Sequence, residues 1–230
     1  MSEYSWITFD CYGTLIDWEH GISAAFEKAA RASGVPFDRS RILNLYHKYE
    51  KEEEKHYRKY RDVLTRIARR ISIEMGFRMS SFDFLVDSQQ RWRPFPDTNL
   101  ALQRLARKHK LGILSNIDND LLTLTRRHLT VPFDLMITAE SVASYKPELK
   151  HFQEARRKIG NAGWIHAAQS YVHDIVPCVN LGIDCAWINR SHEQGADPRI
   201  KPVYVGPDLH RFANWMEGLD SSPNLTGSVS

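Results

Sequence analysis

From Pro96 to Met216 the chain alternates short apolar runs with amphipathic stretches, and few architectures accept that rhythm. The runs over 110–114, 133–138, 165–169 and 185–188 have strand length, with Tyr204-Val205 as a last short one. Between and around them, 98–108, 120–129, 148–159, 175–181 and 207–216 read as helices. Pro147 suits a first helical turn, where its missing N–H is not needed. Strand and helix alternating at this pace predict a parallel sheet with helices on both faces. One strand precedes the series. Trp6-Ile7-Thr8-Phe9 runs into Asp10, and the chain then turns at Gly13-Thr14-Leu15. Reactive groups in open α/β sheets sit just beyond the carboxyl ends of the strands, which is where Asp10 falls. Taken alone, Asp10 reads equally well as a turn or N-cap acid.

The segment between that strand and the alternating region is different. Residues 18–33 read as a helix ended by Gly34 and Pro36. A stripe of Ile42, Leu45, Tyr46 and Tyr49 follows, then a charged run, Lys51-Glu52-Glu53-Glu54-Lys55, expected to be a solvated face. Tyr60, Val63, Leu64, Ile67 and Ile71 repeat at three and four, the spacing of one helix face, and Gly76 stops them. A further helix is expected over 82–92. The predicted organisation is an α/β, Rossmann-like parallel-sheet core (1–16 and 94–219), a helical cap inserted after the first strand (17–93) and a disordered polar tail (220–230).

Composition excludes several classes. A net charge of +3 with no basic block carrying interleaved aromatics argues against nucleic acid as a partner. No window approaches the roughly 20 apolar residues of a membrane span. The first residues lack the basic and apolar regions of a signal peptide. Three cysteines with no C-x-x-C pair fit reduced thiols and a cytoplasmic location, with no zinc site. Cys11 lies one alternation from Asp10, points to the other face of the strand and reads as core.

Four strand ends carry polar groups in succession: Asp10 with Tyr12, Ser115-Asn116, Lys146, and Gln169 to Asp174. Any one could be a turn; four at one end of a sheet lift Asp10 above that reading. Lysine at a helix start, the place 146 is expected to take, faces the positive end of the dipole and calls for another reason.

These residues resemble the motifs of the haloacid dehalogenase superfamily, over almost the whole chain. Phe9-Asp10-Cys11-Tyr12-Gly13-Thr14-Leu15 looks like its first motif and Leu114-Ser115-Asn116 its second. Ser144-Tyr145-Lys146-Pro147 looks like its third, and the stretch from His166 to Asp174 falls in register with its fourth. Most members of that superfamily are Mg-dependent phosphatases with aspartates where this chain has Tyr12 and Gln169. A neutral amide is a poor ligand for a hard dication. Both departures point to the type II 2-haloacid dehalogenases.

That resemblance implies hydrolytic dehalogenation of small 2-haloalkanoic acids with no metal or other cofactor. Asp10 would attack the halogen-bearing carbon, and water would hydrolyse the resulting alkyl ester. Lys146 would keep Asp10 ionised by lowering its pKa. Ser115 and Asn116 would hold the substrate carboxylate, and Asp174 would position the water, with His173 as an accessory. Tyr12 would shape the pocket and face the halide, and Gln169 would be a neutral neighbour. A cap arginine would cradle the halide, with Arg39 and Arg41 first in position and Arg58 and Arg61 as alternatives. The expected partner is a small carboxylic acid, and a homodimer is compatible. The competing readings are a hydrolase of another electrophilic acid, such as a strained cyclic amino acid, by the same ester route; a phosphatase, which alone would need Mg; and a catalytically silent binding protein.

Overall fold

The computed structural model describes residues 4–195 and 197–219; the 220–230 tail lies outside the described residues. The chain opens with β1 (Trp6–Phe9), whose Ile7 and Phe9 are fully buried. After four helices and α5 (Thr98–Leu105) come β2 (Lys110–Ser115), α6 (Asn119–Thr125) and a 3-10 turn at Arg126–His128. Next are β3 (Leu135–Thr138), α7 (Ala139–Val142) and α8 (Lys150–Ile159). β4 (Trp164–Ala168) leads into a π turn at Tyr171–Ile175 that continues as α9 (Val176–Asn180). β5 (Asp184–Ile188), β6 (Tyr204–Gly206) and α10 (Leu209–Met216) complete the described chain.

The six strands form one parallel sheet in the order β3-β2-β1-β4-β5-β6. The chain builds outward from β1 to β3, then returns to the other side of β1 for β4. The sheet's switch point therefore lies at β1, and a crevice opens at the carboxyl ends of the strands flanking it. Burial explains the composition of these strands. All five residues of β4 are buried, as are five of the six in β2, as expected when helices cover both faces. The 165–169 run, weak by composition, is thus a central strand.

The first four helices are α1 (Trp18–Ser33), α2 (Arg39–Glu53), α3 (Tyr60–Met75) and α4 (Phe84–Gln89), and they pack on one another. Asp17 and Asp38 cap α1 and α2 by accepting from the backbone N–H groups of His20 and Arg41. Gly34 and Gly76 end α1 and α3 in the left-handed region, which glycine enters without a Cβ penalty. No side chain of its own segment caps α3. The buried Asp118, from the loop after β2, accepts from the backbone N–H groups of Tyr60 (2.8 Å) and Arg61 (2.9 Å) instead.

Two sequence expectations shift here. The helix over 148–159 begins only at Lys150, so Lys146 lies in the loop before it and the dipole argument does not apply. The 120–129 stretch breaks after Thr125 into the 3-10 turn. Among the described residues no helix is long and apolar enough to cross a membrane.

Candidate active site

The crevice at the switch point holds a cavity of about 290 Å³. Its floor is built around one ammonium. Lys146 Nζ donates to Asp10 Oδ1 (2.9 Å), Asp174 Oδ1 (2.6 Å) and the Leu114 carbonyl (2.9 Å), so all three N–H donors are used. The lysine is 2% exposed, Asp10 7% and Asp174 0%. Asn116 fixes the lysine backbone from both sides, accepting from its N–H (2.7 Å) and donating to its carbonyl (3.0 Å).

The two carboxylates are held differently. Thr14 Oγ1 donates to Asp10 Oδ2 (2.9 Å) and accepts from the Gln169 backbone N–H (2.9 Å). The turn that carries Thr14 passes through Gly13 at φ 94°, where a Cβ would also come within 3.3 Å of Gln169 Oε1. Asp174 sits inside the π turn and closes a buried relay. Trp164 Nε1 donates to Thr8 Oγ1 (2.7 Å), Thr8 to His166 Nδ1 (2.8 Å), and His166 Nε2 to Asp174 Oδ1 (2.9 Å). One imidazole tautomer satisfies every member of that chain.

Burial pushes the Asp10 carboxyl above its ordinary pKa; Lys146 pulls it down and Asp174 pushes it further up. The net direction is upward, opposite to the sequence expectation, because burial, with the second carboxylate adding to it, outweighs the pull of Lys146. Burial would raise Asp174 as well, but Lys146 and His166 outweigh it and hold that carboxyl well below its ordinary range. Lys146 itself is driven down by burial and up by both carboxylates, and the net shift is upward, so it stays an ammonium.

Ser115 ends β2 fully buried on the cavity wall, and its Oγ has no hydrogen-bond partner; nor has Asp174 Oδ2. Tyr12 lines the cavity with its ring, edge-on to Trp92 (5.8 Å between centroids). Its hydroxyl is bound to Thr125 Oγ1 (2.7 Å) and to Gln89 Nε2, which leaves the ring as the part of Tyr12 turned to the cavity. Asn116 lines the cavity too, with both ends of its side-chain amide engaged on the Lys146 backbone, so that side chain braces the lysine. Gln169 lies at the mouth and donates to Glu193 (2.8 Å). His173 lines the cavity, with Nδ1 3.1 Å from Ser170 Oγ. Cys11 is buried in the core.

Among the described residues no arginine lines this cavity. Arg39 and Arg41 are exposed and pair with Glu19 (3.3 Å) and Glu74 (3.6 Å) on the outer surface of the helices. The alternatives fare no better: Arg58 pairs with Glu53 (2.7 Å), and Arg61 with Asp120 and Asp118. Arg39→Ala and Arg41→Ala are expected to leave turnover within about twofold of wild type and to cost under roughly 1 kcal/mol, as exposed ion pairs do. Steady-state rates and urea melts of the two variants check this.

Several site residues were not singled out from the sequence. Thr14 and His166 lie inside the quoted motifs, but their roles depend on partners distant in the chain. Glu50 and Glu54 line the cavity, and Glu54 belongs to the run expected to be solvated. His151, fully buried beneath Ser115, donates from Nε2 to the Ser115 carbonyl (3.2 Å).

Burial, and then the nearby Lys146, push the His151 imidazole down to about 3 from an ordinary value of 6.5. The folded protein keeps the ring neutral while the unfolded chain protonates it below pH 6.5. Its contribution to stability is complete above that pH and falls by roughly 1 kcal/mol per pH unit as the pH drops towards the folded value. His151→Gln should remove that component of the slope in urea melts taken across the acid range; an unchanged slope contradicts the assignment.

Residues 4–168 match the family model described as haloacid dehalogenase-like hydrolase, and the chain belongs to that family. It is a hydrolase. The chain is 26% identical to the (S)-2-haloacid dehalogenase of Pseudomonas putida, over 94% of this chain and 98% of that one. It is also 25% identical to a glyceraldehyde 3-phosphate phosphatase of Methanothermobacter thermautotrophicus, over 80% and 84% of the two chains. Its fold matches an L-2-haloacid dehalogenase from Xanthobacter autotrophicus solved with chloropropionic acid covalently bound (TM-score 0.77, 19% identity, 94% of this chain and 100% of that one).

Proposed function

We propose that the protein hydrolyses the carbon–halogen bond of a small halogenated carboxylic acid through an alkyl ester on Asp10. The observation that carries this reading is the Lys146 ammonium between Asp10 Oδ1 and Asp174 Oδ1 at the floor of the cavity. Asp10 is the reactive candidate because it lies at the end of β1, with one oxygen on Lys146 and the other on Thr14. It attacks the carbon from the side opposite the halogen; the C–O bond forms as the C–halogen bond breaks, and the halide leaves with the electron pair. Water then adds to the Asp10 carbonyl carbon and the ester breaks, giving a hydroxy acid and a proton. Asp174, with its free Oδ2, is the group to orient that water. Ser115 Oγ, free and buried, is the donor available to the substrate carboxylate. The helices over 17–93 form the cap that shields this chemistry from bulk water, held to the core in part by Asp118.

A magnesium phosphatase fits these residues poorly. Tyr12 and Gln169 offer no carboxylate, Gln169 is turned to Glu193, and Asp10 and Asp174 each commit an oxygen to Lys146. Magnesium asks for an octahedron of oxygens resting on one or two carboxylates.

The test is halide release from chloroacetate, fluoroacetate and 2-chloropropionate with EDTA present. Release that persists in EDTA is expected. Phosphate release from phosphoesters that requires added magnesium, with no halide from any of the acids, overturns the proposal.

A further inference from the structure

Beyond its floor the cavity wall is mainly acidic and aromatic, with the His47 imidazole packed on Trp18 and Tyr46 among it. Glu50 and Glu54, from α2 and the residue after it, face inward, and Glu193 stands at the mouth. Trp18, Tyr46, Tyr60 and Trp92 supply the walls. The hydroxyls of Tyr46 (3.1 Å) and Tyr60 (2.6 Å) both donate to Glu50 Oε1, which fixes that carboxylate in place. Trp18 and Tyr46 lie with ring centroids 5.3 Å apart. Among the described residues Lys146 is the one lysine lining the cavity, and it has no N–H left to offer. Burial, and then Glu50, push the Glu54 carboxyl well above its ordinary range against the pull of Lys146; a cation seated beside it would draw it back down. Independently, Ser115 Oγ and Asp174 Oδ2, both on wholly buried residues lining the same cavity, have no partner within the protein. The space is built to receive polar groups of a ligand.

We propose that the substrate carries an ammonium group: it is a short 2-halogenated amino acid whose cationic nitrogen sits against Glu50 and Glu54 among the aromatic walls. This rests on the Asp10 ester reading and narrows it. A carboxyl gives up its proton more readily beside a cation, and carboxylates and electron-rich ring faces both attract one, more strongly where water is excluded. At about 290 Å³ the cavity is at the small end of ligand pockets, which run roughly 300–1,000 Å³, so a short chain is required. With the ammonium on the cap side and the carboxylate at Ser115, the halogen-bearing carbon is left facing Asp10. The bond changes are those given above; the ammonium takes no part in them and only positions the carbon.

The experiment is a matched pair: 2-chlorobutanoate against 2-chloro-4-aminobutanoate, followed by halide release with EDTA present. The amino compound is expected to have a kcat/KM higher by roughly tenfold or more, the discrimination that a desolvated charge pair can supply. In Glu54→Gln and Glu50→Gln the advantage should shrink towards parity, mainly through KM. Equal turnover of the two acids, or a preference for 2-chlorobutanoate, overturns the inference and leaves the ester reading standing. Release from neither leaves the ester reading to the chloroacetate and 2-chloropropionate assays above, and binding then decides the inference separately. Thermal stabilisation by 4-aminobutanoate that exceeds that by butanoate, and is lost in Glu54→Gln, supports cation recognition. An equal response to the two, or a larger one to butanoate, overturns it.

Discussion

Asp10→Asn is expected to abolish halide release, lowering kcat by roughly 10⁴-fold or more, the scale seen when a nucleophile is removed. An amide oxygen carries no full charge and is too weak a nucleophile to displace halide from carbon. The fold should survive. Lys146 keeps Asp174 and the Leu114 carbonyl, so the ammonium remains paired, and one buried carboxylate faces one cation. A thermal melt close to wild type, with no turnover and no covalent adduct, is the expected combination. Residual turnover within tenfold of wild type, an order of magnitude rather than a fine bound, would place the nucleophile elsewhere.

Lys146→Met should have the larger effect on the fold. It removes the one cation shared by Asp10 and Asp174 and leaves both carboxylates buried without it. Stranding one member of a buried ion pair costs about 3–5 kcal/mol. For a chain of this size that corresponds to a fall in Tm on the order of 10 °C. The pH dependence should change in a defined sense. In the wild type, Asp174 is held well below its ordinary pKa, so its stabilisation is present above the ordinary aspartate range and persists far into acid. Without the ammonium, the folded-state pKa of both carboxyls rises, and stability is lost at a higher pH on acidification. Any remaining activity should move to higher pH as well, since ionised Asp10 is the reactive form. Melts and rate profiles across pH check both statements; a variant as acid-stable as wild type contradicts the shared-cation account.

The parts of the fold that were legible in the sequence follow from burial. Parallel strands covered on both faces must be apolar throughout, so 110–114 and 185–188 stood out, and Gly34 and Gly76 marked helix ends. The helix expected over 148–159 starts two residues later, at Lys150, because Pro147 suits a first turn but does not require one. Asp10, Ser115, Lys146 and Asp174 were legible because each lies at a strand's carboxyl end or in the connection beyond it, where backbone turns and chemistry coincide. Their number, more than any one of them, carried the assignment, and all four line the cavity. The rest of the site depends on side-chain directions that local pattern does not encode. Tyr12 looked free, yet Gln89 and Thr125, far along the chain, claim its hydroxyl. Arg39 and Arg41 occupy the right segment but the wrong face of α2, and acidic partners lie beside them. Glu54 sits in a run of five charges that reads as solvated, and only the packing of α2 against α3 turns it inward. The inverted charge of the cap side, with glutamates where an arginine was expected, had no signal in the motifs.

The most direct measurement of the account is a single turnover in heavy-oxygen water, with enzyme in excess over an acid it dechlorinates. The ester route predicts that the first hydroxy acid released carries ordinary oxygen, taken from the carboxylate, and that the heavy label appears in the peptide containing Asp10. Label in the hydroxy acid and none in that peptide would mean that water attacked the carbon itself, and would contradict the role proposed for Asp10.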